Sequence, residues 1–160
     1  MAVSMTTVLA TCFLCFLQLG CCVATTAQRS SCRLVYDSLG DIEATQETVV
    51  VGTEMRVGFS QFQDRTRFRR LSPREYEILA DSMEVLERWA RGSSSTSKPS
   101  PGYFLTVSCN GATLGIINLA SADKQEWQAL VQLDTVLSRH FRDYLPIAED
   151  AKYALGYGLP

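Results

Sequence analysis

The sequence contains a single histidine, His140, among its 160 residues. One histidine excludes a zinc site built from several imidazoles, and it leaves His140 as the sole imidazole available to a Ser-His or Cys-His catalytic system. There is also no glycine-rich phosphate-binding loop, no Gly-x-Ser-x-Gly motif and no Asn-x-Ser/Thr glycosylation site. His140 lies near the end of a predicted helix, where an imidazolium is favourable, so we expect a structural role for it. The sequence therefore offers no catalytic, cofactor-binding or metal-binding constellation.

Charged side chains are absent before Arg29. Residues 8–19, VLATCFLCFLQL, form an apolar run, and the small residues Thr25 and Ala27 follow it. This pattern is typical of a secretory signal peptide comprising residues 1–27, although the first seven residues lack the usual Lys or Arg. A signal anchor and a buried structural helix are the alternatives. The run is shorter than the roughly 20 apolar residues that a membrane-spanning helix needs.

Two other processing sites compete with cleavage after Ala27. One is cleavage after Ala24, and the other is lipidation at Cys21. The segment QLGC resembles the bacterial lipoprotein box, although that box prefers Leu where this chain has Gln18. A lipidated Cys21 would tether the domain to a membrane. Each of these sites predicts a protein that is secreted or held in the cell envelope.

Cleavage after Ala27 leaves two of the six cysteines, Cys32 and Cys109. Two cysteines in an exported chain predict one disulfide. Closing the long loop between them would stabilise the fold by about 4 kcal/mol in the chain-entropy model. Two separate buried thiols are the alternative.

Periodic patterns predict the elements of the mature chain. Three strands come first: RLVYDSL (33–39), QETVVV (46–51) and EMRVGFSQF (54–62). Ser72, Pro73 and Glu75 then form a helix start, and apolar residues spaced three or four apart continue to about Arg91, with Gly92 as C-cap.

A β-hairpin and a second helix follow. In YFLTVSCNGATLGIINL, the dipeptide Asn110-Gly111 is typical of a type I′ turn between two strands. Residues 121–141 carry a second helical stripe, for which Ser121 is the predicted cap.

The resulting order, β-β-β-α-β-β-α, predicts an α+β fold. A single antiparallel sheet of about five strands would carry two amphipathic helices on one face. We assign residues 28–145 to this single domain and residues 146–160 to a loosely packed C-terminal tail, because Pro146 interrupts the pattern and glycines end it.

An arginine-rich segment, residues 65–74, precedes the first helix and is one of two candidate partner surfaces. It contains Arg65, Arg67, Phe68, Arg69, Arg70 and Arg74, and the other candidate surface is the acidic loop at residues 37–43, with Asp37 and Asp41. A protein partner, either a protease or an acidic surface, fits this chemistry. The alternative is an edge strand that uses charge to block aggregation. A net charge of −2 argues against nucleic acid, and membrane contact is expected only through the signal segment or a lipid anchor.

Three stretches, LSPREYEILADSMEVL, PGYFLTVSCNGATLGIINL and WQALVQLDTVL, carry a family resemblance. Over about residues 33–141 the chain resembles the emfourin-type (protealysin inhibitor-like) small metalloprotease inhibitors. Those proteins have an early strand, a helix that opens with Leu-Ser, a Tyr-x-Leu-x-Val hairpin and a final leucine-rich helix. The segment YDSLGDIE departs from the family, because it lacks the paired glycines of the early strand. The resemblance implies inhibition of a thermolysin-like metalloprotease.

The sequence thus predicts an exported, non-enzymatic binding domain that needs no cofactor. An inhibitor of a thermolysin-like protease is one alternative. A small enzyme that uses a carboxylate or His140 is the other.

Overall fold

The computed structural model describes residues 31–39, 44–61, 65–93, 98 and 102–156. The predicted signal peptide, the candidate lipidation site Cys21 and the candidate surface residue Asp41 lie outside these described residues.

The described strands form one six-stranded antiparallel sheet in the order β4-β3-β2-β1-β5-β6. Their bounds are β1 Cys32–Leu39, β2 Ala44–Val51, β3 Arg56–Gln61, β4 Arg67–Arg70, β5 Gly102–Cys109 and β6 Ala112–Asn118. The predicted α+β class and the single antiparallel sheet are confirmed. The strand beyond the predicted five is β4, which forms inside the arginine-rich segment.

Three helices accompany the sheet: α1 Pro73–Gly92, α2 Lys124–His140 and α3 Ile147–Leu155, with a 3₁₀ turn at Leu119–Ser121. Alternate residues of β1 (Cys32, Leu34 and Tyr36) are buried in the same core as the apolar stripes of α1 and α2. Because strand side chains alternate between the faces of a sheet, this core lies on one face, as predicted.

The start of α1 is as predicted, and its end is not. Ser72 caps the helix, and the carboxylate of Glu75 accepts the Ser72 backbone N–H at 3.0 Å, which completes a capping box. The predicted C-cap Gly92 is instead the last helical residue. Ser93 ends the helix in an extended conformation, and its hydroxyl donates to the carbonyl of Ile116 at 2.6 Å.

The predicted cap of α2 was two residues early. Ser121 belongs to the 3₁₀ turn, where its hydroxyl donates to the Asn118 carbonyl at 2.8 Å. Asp123 is the N-cap, and it exchanges hydrogen bonds with Glu126 at 2.8 and 2.6 Å. Asp123 rather than Ser121 caps α2 because it is the residue directly before the first helical residue, whereas Ser121 is still within the 3₁₀ turn.

The prediction of a loosely packed tail is wrong for residues 147–155, which form α3. Ile147, Ala148 and Ala151 of this helix are buried in the main core. Their spacing places them on one face of a helix, and Gly156 ends it in the left-handed conformation with φ 69°. Pro146 therefore begins a packed element rather than ending the domain.

The hairpin turn is as predicted. Asn110 and Gly111 both have positive φ, 53° and 79°, as a type I′ turn requires. The return strand passes very close to α1, because a Cβ on Gly115 would lie 2.1 Å from the Ala90 carbonyl oxygen. Glycine at this position therefore lets β6 and α1 meet backbone to backbone.

Candidate interaction surface at the β4 edge

The disulfide predicted between Cys32 and Cys109 is present. The two residues face each other across β1 and β5, with Cα atoms 4.1 Å apart. A disulfide indicates an oxidising compartment. Glu87 of α1 places Oε1 3.3 Å from Cys32 Sγ, and these three residues are the sole potential metal-ligating group in the described part of the chain. Disulfide bonding removes the two thiolates that such a site would need.

Strand β4 lies at one edge of the sheet. It pairs with β3 on one side, and no described strand pairs with its other side. All four of its residues, Arg67–Arg70, are exposed. The amide of Leu71 donates to the Met55 carbonyl at 2.8 Å, so the antiparallel ladder continues one residue beyond the strand.

Two of the β4 arginines pack their guanidinium groups over core aromatic rings. Arg67 lies 5.4 Å from the ring centre of Phe59 and pairs with Asp143 at 3.1 Å. Arg69 lies 5.8 Å from the ring centre of Phe141. These two arginines are therefore partly engaged within the fold, on the helix side of the sheet.

Phe68 lies on the opposite face of β4. It pairs with Gly58 of β3, where an added Cβ would lie 2.7 Å from Phe68 Cε1, so the missing side chain makes room for the ring. The guanidinium of Arg56 lies 5.1 Å from the centre of the same ring. Phe68 nevertheless remains 39% exposed, and it is one of three large hydrophobic side chains exposed among the described residues.

Three further arginines lie in or beside the strand. Arg65, Arg70 and Arg74 are exposed, and none forms an ion pair with another described residue. The predicted cluster therefore contains two kinds of arginine. Arg67 and Arg69 pack on aromatic rings, whereas the other three form no ion pair with a described carboxylate. Their guanidinium groups can donate hydrogen bonds to a carboxylate from outside the fold.

Asp37 does not join this surface. It lies on β1, three strands away from β4, which corresponds to about 14 Å at the usual strand spacing. Its side chain is buried, accepts a hydrogen bond from Thr45 at 2.9 Å and pairs with Lys98. The six other predicted residues that the structure describes, Arg65, Arg67, Phe68, Arg69, Arg70 and Arg74, lie on or beside β4.

His140 contacts the start of α1. His140 is the last residue of α2, and its Nε2 lies 3.1 Å from Oε1 of Glu75 in the first turn of α1. Hydrogen bonds from the side chain and backbone of Ser72 lower the pKa of Glu75 to about 2, and His140 adds to this effect. The contact joins the ends of two helices.

Sequence reasoning did not identify Asp134, a buried carboxylate on α2. It accepts hydrogen bonds from the Tyr144 hydroxyl at 2.5 Å and from the amides of Ile147 and Ala148 at 3.0 and 2.7 Å. Burial raises the pKa of Asp134 to about 6, although these three donors favour the carboxylate. An aspartate within the buried stripe of α2, beside Leu133 and Leu137, was the signal available in the sequence.

Comparison of the chain with protein-family models, with curated proteins and with solved structures gives no match. No helix within the described residues is long and apolar enough to cross a membrane.

Proposed function

We propose that this protein is an exported, non-enzymatic binding domain that holds an acidic protein partner at the β4 edge. The observation that carries the proposal is the set of three exposed arginines, Arg65, Arg70 and Arg74, that no described carboxylate neutralises. An exposed aromatic residue, Phe68, lies on the same strand as Arg70. Arginine and aromatic side chains are enriched where proteins contact one another.

Export is supported by two independent features. The Cys32–Cys109 disulfide belongs to an oxidising compartment, and the uncharged run at residues 8–19 is typical of a signal peptide. Release after Ala27 would give a soluble domain, whereas lipidation at Cys21 would tether the same domain to a membrane.

A charged edge strand can also serve only to prevent sheet-to-sheet aggregation, a role that needs no partner. A binding measurement distinguishes the two roles, because an edge strand that only prevents aggregation has no specific affinity for an acidic polypeptide. The proposed role predicts an affinity that falls steeply with salt, since the contacts are between exposed charges.

The test is the affinity for a fluorescent polyglutamate peptide, measured by anisotropy at several salt concentrations. We expect the double variant Arg70→Glu, Arg74→Glu to bind at least tenfold more weakly than the wild type. The matched control is Arg88→Glu, Arg91→Glu, which changes the net charge equally but lies near the far end of α1, where both arginines face glutamates. Equal losses in the two variants, or no binding by the wild type, would refute the proposed surface.

Protease inhibition is a separate proposal, and it depends on the resemblance to emfourin-type inhibitors. Its support is the shared layout of strand, helix, hairpin and helix. Stoichiometric titration of thermolysin with the purified domain is the test. Unchanged protease activity at a severalfold molar excess would reject inhibition of that enzyme.

A further inference from the structure

We infer that the acidic partner binds as an extended segment added to the sheet alongside β4. This inference rests on the proposed function, and it specifies the form in which the partner is recognised. The occupant is a short acidic strand with an apolar residue near its centre.

The backbone of β4 has hydrogen-bonding groups available on its free side. In an antiparallel pair, alternate residues point both backbone polar groups at the partner strand, and the residues between them point outward. The Leu71–Met55 hydrogen bond, with the register of β3 and β4, places Arg69 and Arg67 at the inward positions. The N–H and C=O groups of Phe68 and Arg70 therefore point away from β3.

The outward carbonyl of Phe68 confirms this orientation. It accepts a hydrogen bond from Nη1 of Arg69 at 3.1 Å, an exposed contact between neighbouring residues. An incoming backbone amide can replace that guanidinium at the carbonyl. The displaced guanidinium group would then be free to pair with a carboxylate of the added strand.

The side chains of β4 define the sequence that fits beside it. Residues directly opposite on neighbouring strands have Cβ atoms about 5 Å apart, so each β4 side chain selects its counterpart. Arg67, Arg69 and Arg70 favour Asp or Glu. Phe68 favours an apolar residue, because its ring is 39% exposed.

A second copy of the chain is a poor occupant. Pairing β4 with itself would place arginines of one copy against arginines of the other, since three of the four residues are arginine. Like charges directly opposite each other destabilise a sheet. Charge complementarity therefore favours an acidic polypeptide over self-association.

Two synthetic peptides test strand addition. The probe is acetylated and amidated Glu-Glu-Val-Glu-Glu, and its control is the same peptide with every backbone nitrogen methylated, which keeps the charges but cannot donate to β4. We expect the probe to bind at least tenfold more tightly than its control. Hydrogen exchange at the amides of Phe68 and Arg70 should slow when the probe binds, whereas Arg67 and Arg69 are already bonded to β3.

A pair of variants gives an independent reading. Phe68→Pro removes the outward N–H, and Phe68→Ala keeps it, while both lose the ring. Proline is tolerated at an edge position whose N–H faces solvent, so both variants should retain the sheet and its circular dichroism spectrum. We expect Phe68→Pro to bind the probe at least tenfold more weakly than Phe68→Ala.

The outcomes distinguish this inference from the proposed function. Equal affinity for the methylated and unmethylated peptides, with loss of binding in Arg70→Glu, Arg74→Glu, would overturn strand addition and leave the arginine surface intact. No binding of either peptide would overturn both. Binding of the wild type and Phe68→Pro to anionic phospholipid vesicles, without peptide binding, would identify a membrane surface instead and reject the inference.

Discussion

At the scale of single residues, the buried Asp134 joins two helices of the fold. Helix α3 begins after Pro146 without a side-chain cap of its own. The carboxylate of Asp134, from α2, accepts two of the amides at that start as well as the Tyr144 hydroxyl. It therefore acts as a remote N-cap that fixes α3 against α2.

At pH 4, replacing Asp134 with Ala should lower the free energy of unfolding by about 3 kcal/mol, because three buried donors would lose their acceptor. Urea denaturation followed by circular dichroism measures the loss. Tyr144→Phe is the matched control, since it removes one of these hydrogen bonds and should cost about 1 kcal/mol. Equal effects of the two substitutions would show that Asp134 does not cap α3.

The protonation of Asp134 should also make stability depend on pH. Burial raises its pKa from 3.8 to about 6, so between these values the folded protein binds more protons than the unfolded chain. The stability that this raised pKa contributes is fully present below about pH 3.8 and is lost as the pH rises through about 6.

Relative to Asp134→Asn, the wild type should lose up to about 3 kcal/mol of stability between pH 4 and pH 7. The difference between the two urea midpoints, measured across this range, isolates Asp134 from other titrating groups. A difference that stays constant with pH would show that the carboxylate titrates normally.

At the scale of elements, the packing of β6 on α1 depends on one glycine. An added Cβ at Gly115 would lie 2.1 Å from the Ala90 carbonyl oxygen and 2.9 Å from its carbon, which are backbone atoms that cannot rotate away. Gly92, at the end of α1, has no atom within 4 Å of the same added Cβ.

Gly115→Ala should therefore destabilise the protein by about 1–3 kcal/mol, the usual cost of overpacking. Gly92→Ala should be neutral or stabilising by up to about 1 kcal/mol, because alanine favours helix. Thermal unfolding of the two variants provides the comparison. Similar melting temperatures for both would contradict the close approach of β6 and α1.

Local patterns were sufficient to predict most elements. The β-branched residues of QETVVV and the apolar residues at every second position of EMRVGFSQF identified strands, Ser72 and Glu75 marked the start of α1, and Asn110-Gly111 identified the hairpin. These features depend on residues that are close together in the sequence, so they can be recognised from a single amino-acid sequence.

Two elements are absent from the predicted order because tertiary contacts decide them, although an edge strand was the alternative interpretation of the arginine-rich segment. Strand β4, RFRR, has no apolar alternation, and the guanidinium groups of Arg67 and Arg69 pack on Phe59 of β3 and on Phe141 at the end of α2. The start of α3 depends on Asp134, which lies 13 residues before Ile147. Of the candidate surface, the sequence identified the arginines, but it could not show which of them pack on rings.

At the scale of the whole molecule, one covalent bond joins the start of β1 to the end of β5. Cys32 and Cys109 lie 77 residues apart in sequence and opposite each other in the sheet. The bond closes a loop that includes β2, β3, β4 and α1, so it restricts about half of the 160-residue unfolded chain.

The double substitution Cys32→Ser, Cys109→Ser should reduce the free energy of unfolding by about 4 kcal/mol. Denaturation of the wild type with and without a reducing agent gives the same comparison without a substitution. A loss below about 1 kcal/mol would mean that the disulfide contributes little to the fold.

The central claim is that the chain is exported as a domain closed by one disulfide. The most direct test is the intact mass of the protein from its native host, with and without reduction and alkylation. We predict a chain that begins at Gln28 and gains two alkylated thiols only after reduction. A lipid-modified start at Cys21 would preserve export and add a membrane tether. A full-length chain with free thiols would contradict export and, with it, the proposed extracytoplasmic binding domain.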